Sequence, residues 1–147
     1  MFNIAWANNI DSVSATGFDE AKGHKPENMI DGNIKTRWAV NGKMHSALFK
    51  LKDETLIDNV VLIPFKPLER QLKFDLLISK DNHHWVPIAN NIQTSNKYDN
   101  GEKFILKKTI TAQYLKINVY GTNVNKWSSL IQVEVNSSNT YPETTLP

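Results

Sequence analysis

Leu72-Lys73-Phe74-Asp75-Leu76-Leu77-Ile78-Ser79 is the stretch that decides the fold. Leu72, Phe74, Leu76 and Ile78 fall on one side of an extended chain, and Lys73, Asp75, Leu77 and Ser79 on the other. Period-two alternation of this kind marks a strand with one face on a core. The same period returns in 114–120 through Leu115, Ile117 and Val119, and near the end through Ile131, Val133 and Val135. Further strand candidates are 46–51, 57–65, 84–88 and 103–107. No window of eleven residues carries a helical stripe. Pro26-Glu27-Asn28-Met29-Ile30, with proline in a first turn, is at most one turn long.

Turn clusters separate these strands: Asp31-Gly32-Asn33, Asn41-Gly42-Lys43, Lys80-Asp81-Asn82, Tyr98-Asp99-Asn100-Gly101 and Gly121-Thr122-Asn123. Several short strands with turns between them predict an all-β antiparallel β-sandwich. From Asn136 the composition becomes polar and proline-bearing without a period. Residues 1–136 are therefore expected as one domain and 137–147 as a Ser/Thr/Pro linker to a further domain.

The 147 residues suffice for a real core. Seventeen Lys and Arg against fifteen Asp and Glu give a net charge of +2, which argues against a nucleic-acid binder but permits a local basic patch. The chain has no cysteine, which excludes disulfide scaffolds, cysteine-bound zinc, iron–sulfur clusters and thiol catalysis. No apolar run approaches the ~20 residues of a membrane-spanning helix. The amino terminus lacks the regions of a signal peptide, so a secreted parent would be a longer protein of which this chain is a piece.

No nucleophile elbow, P-loop or His-Glu-x-x-His motif occurs, and nothing singles out a catalytic carboxylate pair. The adjacent His83 and His84 follow a turn and would point to opposite faces of a strand, so a hairpin turn explains them. The stretch Asn28-Met-Ile-Asp31-Gly-Asn33-Ile-Lys-Thr36-Arg-Trp38 concentrates a carboxylate, two amides and a hydroxyl. Hard cations take such oxygen ligands, although an ordinary Asx-rich turn has the same composition.

Four segments, in order, resemble the discoidin-like (coagulation factor 5/8 type C) domains. They are residues 28–38, Phe74 to Trp85, Tyr114-Leu-Lys-Ile-Asn-Val-Tyr-Gly121, and Asn123-Val-Asn-Lys-Trp-Ser-Ser-Leu-Ile-Gln-Val-Glu-Val135. Within that superfamily the chain is most similar to family-32 carbohydrate-binding modules of alginate lyases and related marine polysaccharide enzymes. Phe65-Lys66-Pro-Leu-Glu-Arg70-Gln-Leu-Lys-Phe74-Asp75 keeps a lysine, an arginine and a Phe-Asp at that group's spacing.

The resemblance implies a galactose-binding-domain-like jelly roll with a structural Ca²⁺. Its ligands would be Asn28, Asp31, Asn33 and Thr36 from the early loop, and Ile131 and Gln132 from the last strand. Gln132 stands where the family has Glu, which removes a charge and brings Na⁺ into consideration; Glu134 is an alternative donor. The family's binding loops correspond to 23–25, 40–45, 66–71 and 122–128.

In those loops Arg70, Lys66 and Lys43 could hold a carboxylate or sulfate. Asn41, Asn123 and Asn125 could bond hydroxyls, and Trp127 could stack on a sugar ring. Other readings stay open: Arg70 paired with Glu69 or Asp75, the asparagines capping a turn, Trp127 folded onto the sandwich edge. Trp38 and Trp85 are expected in the core. The function implied is a non-catalytic module holding an extracellular enzyme on a polysaccharide, alginate first, with a sulfated galactan or fucan behind it. The expected partners are the polysaccharide and a catalytic domain of the same parent, with no nucleic acid, no membrane and a monomeric state. The alternatives are a neutral galactoside ligand and a membrane- or protein-binding discoidin domain.

Overall fold

A computed structural model describes residues 9–147. Eight strands follow in order: β1 (Ile10–Ala15), β2 (Trp38–Asn41), β3 (His45–Pro64), β4 (Leu72–Ser79), β5 (Val86–Gln93), β6 (Glu102–Thr122), β7 (Trp127–Val135) and β8 (Glu143–Thr145). Pro26–Ile30 forms a single 3₁₀ turn. All pairings are antiparallel except β6 with β8.

The two long strands make the sandwich. The first part of β3 pairs with β1 and with 114–119 of β6, whereas its last part pairs with β7 and with 102–105 of β6. Irregular register between Lys50 and Thr55 marks where β3 passes from one sheet to the other. One sheet thus contains β2, β7, late β3, early β6 and β8. The other contains β1, early β3, late β6, β4 and β5. Phe74 of β4 meets Phe104 of early β6 across the core edge-to-face, with centroids 5.2 Å apart. Trp38, Phe49, Leu62, Leu115 and Leu130 are wholly buried around them.

The double passage of β3 fixes the functional end. β3 starts at His45, crosses the molecule and returns to the same end at Pro64. That brings together the loops before β3, between β3 and β4, and between β6 and β7. Leu72 pairs with Thr122, Asn41 with Trp127, and Phe65 N donates to Ser129 O.

Three expectations need correction. Residues 137–147 are not a linker: β8 adds to the sheet, Leu146 is buried in the main core, and Tyr141 packs on Val61 and Ile63. The buried Glu134 carboxylate accepts from Gln132 Nε2, Ser137 Oγ, Asn139 Nδ2 and Tyr141 Oη. The buried Lys103 ammonium donates to the Ser137 and Asn139 carbonyls. Polar composition concealed this because the segment is held through its backbone and through partners distant in sequence. Trp85 is not core; it is half-buried, with Lys116 Nζ 4.1 Å from its ring centroid. Finally, β7 pairs Ile63 with Gln132 but Pro64 with Leu130, so Ile131 is an extra residue. This bulge turns Leu130, Val133 and Val135 into the main core and places Ile131 on the Val61–Ile63–Tyr141 cluster.

Candidate functional site: a cationic cluster at the loop end

The 65–71 loop folds around the carbonyl of Lys66, which accepts from Glu69 N and Arg70 N, both at 3.1 Å. Lys66 takes φ 50°, a left-handed conformation that costs energy for a side chain other than glycine. The turn directs both cations onto one aromatic ring. Arg70 Cζ lies 5.7 Å and Lys66 Nζ 5.4 Å from the Phe65 centroid. Arg37, which the sequence reading did not single out, lies closest, with Cζ 3.8 Å from the same centroid. Its position reflects a contact between residues 28 apart in sequence, and only its place beside Trp38 in the family signature could have drawn notice.

Burial and the charge of Arg70 both lower the pKa of Arg37, against a smaller opposing effect of Asp19. Arg37 Nε is buried without a hydrogen-bond partner. Among the described residues only His84 and Asp81 form an ion pair within 4 Å, so none of the three cations has a carboxylate at that range. Arg70 therefore pairs with neither Glu69 nor Asp75. The Asp75 carboxylate instead accepts from Tyr120, Asn118 Nδ2 and Asn91 N. Burial acts to raise its pKa, and these donors together outweigh it and leave the carboxyl below its ordinary range.

Arg70 and Trp127 line the same small depression of about 10 Å³, with Phe65, Thr122 and Ser129. Trp127 is half-buried. Gly121 permits the tight approach of its loop: at φ 79° a Cβ there would sit 2.8 Å from Asn125 O. Asn123 Oδ1 accepts from Gln71 N, and Asn125 Oδ1 accepts from Trp127 N. Both asparagine oxygens thus brace loops, and ligand chemistry falls to their Nδ2 groups. Asn41 is exposed and lies opposite Trp127 in the register. Lys43 is exposed on the adjoining loop, which is tied down by Gly42 N to Lys126 O. His45 fixes that loop from beneath: its Nε2 donates to Asn41 O, and its Nδ1 accepts from Thr16 Oγ1.

The oxygen-rich loop runs directly into this cluster, Thr36 preceding Arg37. Asp31 Oδ1 accepts from Asn33 N, Asp31 Oδ2 from Thr36 Oγ1 at 2.5 Å, and Thr36 Oγ1 is 3.1 Å from Asn33 O. The Asn28 side chain is a brace, donating to Gly23 O and Arg37 O. Gln132 Nε2 is directed at Glu134, leaving Oε1 as its acceptor. Ile131, the bulged residue, contributes a carbonyl next to it. The donors at these positions are all oxygen, with Asp31 as the single carboxylate.

A model of the F5/8 type C domain matches residues 9–133. None of the curated proteins compared is similar to the chain. Among solved structures, a pectin-binding carbohydrate-binding module is 39% identical with a TM-score of 0.92, over 96% of this chain and 100% of that one. The CBM32 of AlyQ, in complex with 4,5-unsaturated mannuronic acid, is 26% identical with a TM-score of 0.79, over 87% of this chain and 95% of that one. A truncated AlyQ with CBM32 and alginate lyase domains is also 26% identical at 0.79; the match spans 93% of this chain and 34% of that longer one. The strand order, the loop end and the match over residues 9–133 place the chain in the F5/8 type C domain family.

Proposed function

We propose that this domain is a non-catalytic carbohydrate-binding module for a polysaccharide rich in uronate carboxylates. The observation carrying this is the arrangement of Arg37, Lys66 and Arg70 around Phe65 beside Trp127, without a carboxylate of the protein in ion-pair range. Guanidinium forks match carboxylates, and the indole offers an apolar face to a pyranose ring. The similar modules that hold pectin and an unsaturated mannuronate support a galacturonan or an alginate as the ligand class. A shallow, preformed site of this kind gives modest affinity that falls with salt. Appended to a lyase or hydrolase outside the cell, the domain would raise the enzyme's local substrate concentration.

Asn28, Asp31, Asn33, Thr36, Ile131 and Gln132 would hold a Ca²⁺ or Na⁺ ion that clamps the early loop to β7. With one carboxylate in the set, Ca²⁺ should bind weakly. The deciding experiment is isothermal titration against polygalacturonate, alginate, a sulfated galactan and a neutral galactan. Binding to the neutral polymer alone overturns the uronate reading.

A second reading rests on apolar loop tips. Met44, Leu68 and Val124 are 52%, 50% and 58% exposed on the three loops around the site. Apolar tips among lysines suit an anionic lipid surface. Flotation with phosphatidylserine vesicles separates the readings: co-flotation without polyuronate binding would favour the membrane.

A further inference from the structure

Resting on the polyuronate reading, we infer that Arg37 is a second carboxylate-binding residue and that the site selects adjacent free carboxylates rather than one isolated acidic unit. Both guanidinium groups lie against the Phe65 ring, with Cζ atoms 3.8 and 5.7 Å from its centroid, and Lys66 Nζ lies 5.4 Å from it. One sugar carboxylate can take one fork bidentately. It cannot also satisfy a second arginine and a lysine spread around a ring.

The Arg37 head group is also held in place without being used up. Its guanidinium carbon is stacked on Phe65, its buried Nε has no partner, and it forms no ion pair. An arginine of purely structural purpose at such a site would ordinarily be neutralised by a carboxylate or by main-chain carbonyls. Its own carbonyl is instead occupied by the Asn28 side chain, which fixes the backbone from which the side chain projects. The ligand implied is a de-esterified run of a polyuronate, in which successive rings each present an anion. A methyl ester on either of two neighbouring rings removes one of the charges the site reads.

The test is calorimetric titration of the whole domain with mono-, di- and trigalacturonate, and with trigalacturonate methyl-esterified on its central ring only, which leaves no two adjacent free carboxylates. The wild type should gain at least roughly tenfold from mono- to trigalacturonate and lose most of that gain on esterification. Arg37→Gln should weaken trigalacturonate roughly tenfold, one charge-assisted hydrogen bond, and weaken monogalacturonate by clearly less. It should also lower the salt dependence of trigalacturonate binding. Arg37→Lys keeps the charge without the fork and should fall between the two. If Arg37→Gln fails to fold, the Arg37→Lys titration decides by the same comparison. Equal effects on the mono- and trisaccharide, or none on either, overturn the inference while leaving the polyuronate reading intact. Absence of polyuronate binding by the wild type overturns both.

Discussion

Leu146→Ala distinguishes a linker from a packed strand at the carboxyl end. In a linker the substitution changes nothing. Here Leu146 is 2% exposed within the main core, its amide donates to Ile105 O, and β8 just before it pairs with β6. Removing a leucine side chain from a packed core costs about 2–5 kcal/mol, the spread reflecting how far the site collapses. Leu146 follows a three-residue strand paired on one side only, which relaxes more readily than a central strand, so the lower half of that range applies. If the tail can detach alone, its docking energy sets a ceiling on the loss. That docking energy includes Tyr141 burial and the Glu134 and Lys103 hydrogen bonds, which keeps the ceiling above the lower bound.

A loss of about 2–3 kcal/mol in a domain of this size lowers Tm by about 6–12 °C. Differential scanning calorimetry of Leu146→Ala beside Thr140→Ala, an exposed position in the same segment, measures it. A shift under about 1 °C for both variants would refute the packing argument, because a buried leucine cannot be truncated at no cost.

Other perturbations probe other parts of the molecule. Tyr141→Phe leaves the buried Glu134 carboxylate short of a donor and should cost about 1–3 kcal/mol in urea unfolding. Burial and the Glu134 hydrogen bond also raise the Tyr141 pKa well above its ordinary value. The neutral phenol is therefore favoured in the fold, and the stability linked to it is complete below about pH 10 and declines as pH rises further. That alkaline decline should be smaller in Tyr141→Phe. Arg70→Gln should weaken polyuronate binding roughly tenfold and raise Tm slightly, since it relieves repulsion of Arg37. Trp127→Ala should weaken binding by about 1–2 kcal/mol with the fold retained, read by calorimetry together with far-UV circular dichroism. Millimolar Ca²⁺ should raise Tm over an EDTA control, and Asp31→Asn should abolish that rise.

How much of this was legible in the sequence depends on where each residue's partners lie. β4 and the 3₁₀ turn are local, and their residues announce them. β3 and β6 read as separate pieces, because the polar Lys52-Asp53-Glu54 and Lys107-Lys108-Thr109 interrupt the apolar period. They are instead the exposed middles of strands that cross between sheets. β1 and β2 escaped notice: Ile10–Ala15 is an edge strand with few apolar residues, and Trp38–Asn41 has only four residues. At the site, Lys66, Arg70 and Trp127 were readable as loop chemistry and do converge. Arg37 was not, because its role is set by Phe65, a contact that no local pattern encodes. The bracing by Asn123 and Asn125 shows the reverse case, residues whose type suggests ligand chemistry while their side-chain oxygens hold a loop together.

The near-zero net charge and the cationic cluster have one physical explanation. A folded chain lowers its energy by setting opposite charges side by side, and with fifteen acids and seventeen bases such pairs were available. At the loop end they are not made. Two arginines and a lysine share one phenylalanine, one of them has a buried nitrogen without a partner, and the loop that gathers them holds a lysine at positive φ. Repulsion among the cations, the unpartnered nitrogen and the positive φ each cost stability, and none is required by the sandwich, whose core is complete without them. A bound polyanion would add an attraction to each cation and so offset the repulsion among them. On the proposed polyuronate reading, the strain stored at this end is preorganisation, with the position of the cations fixed before the polysaccharide arrives.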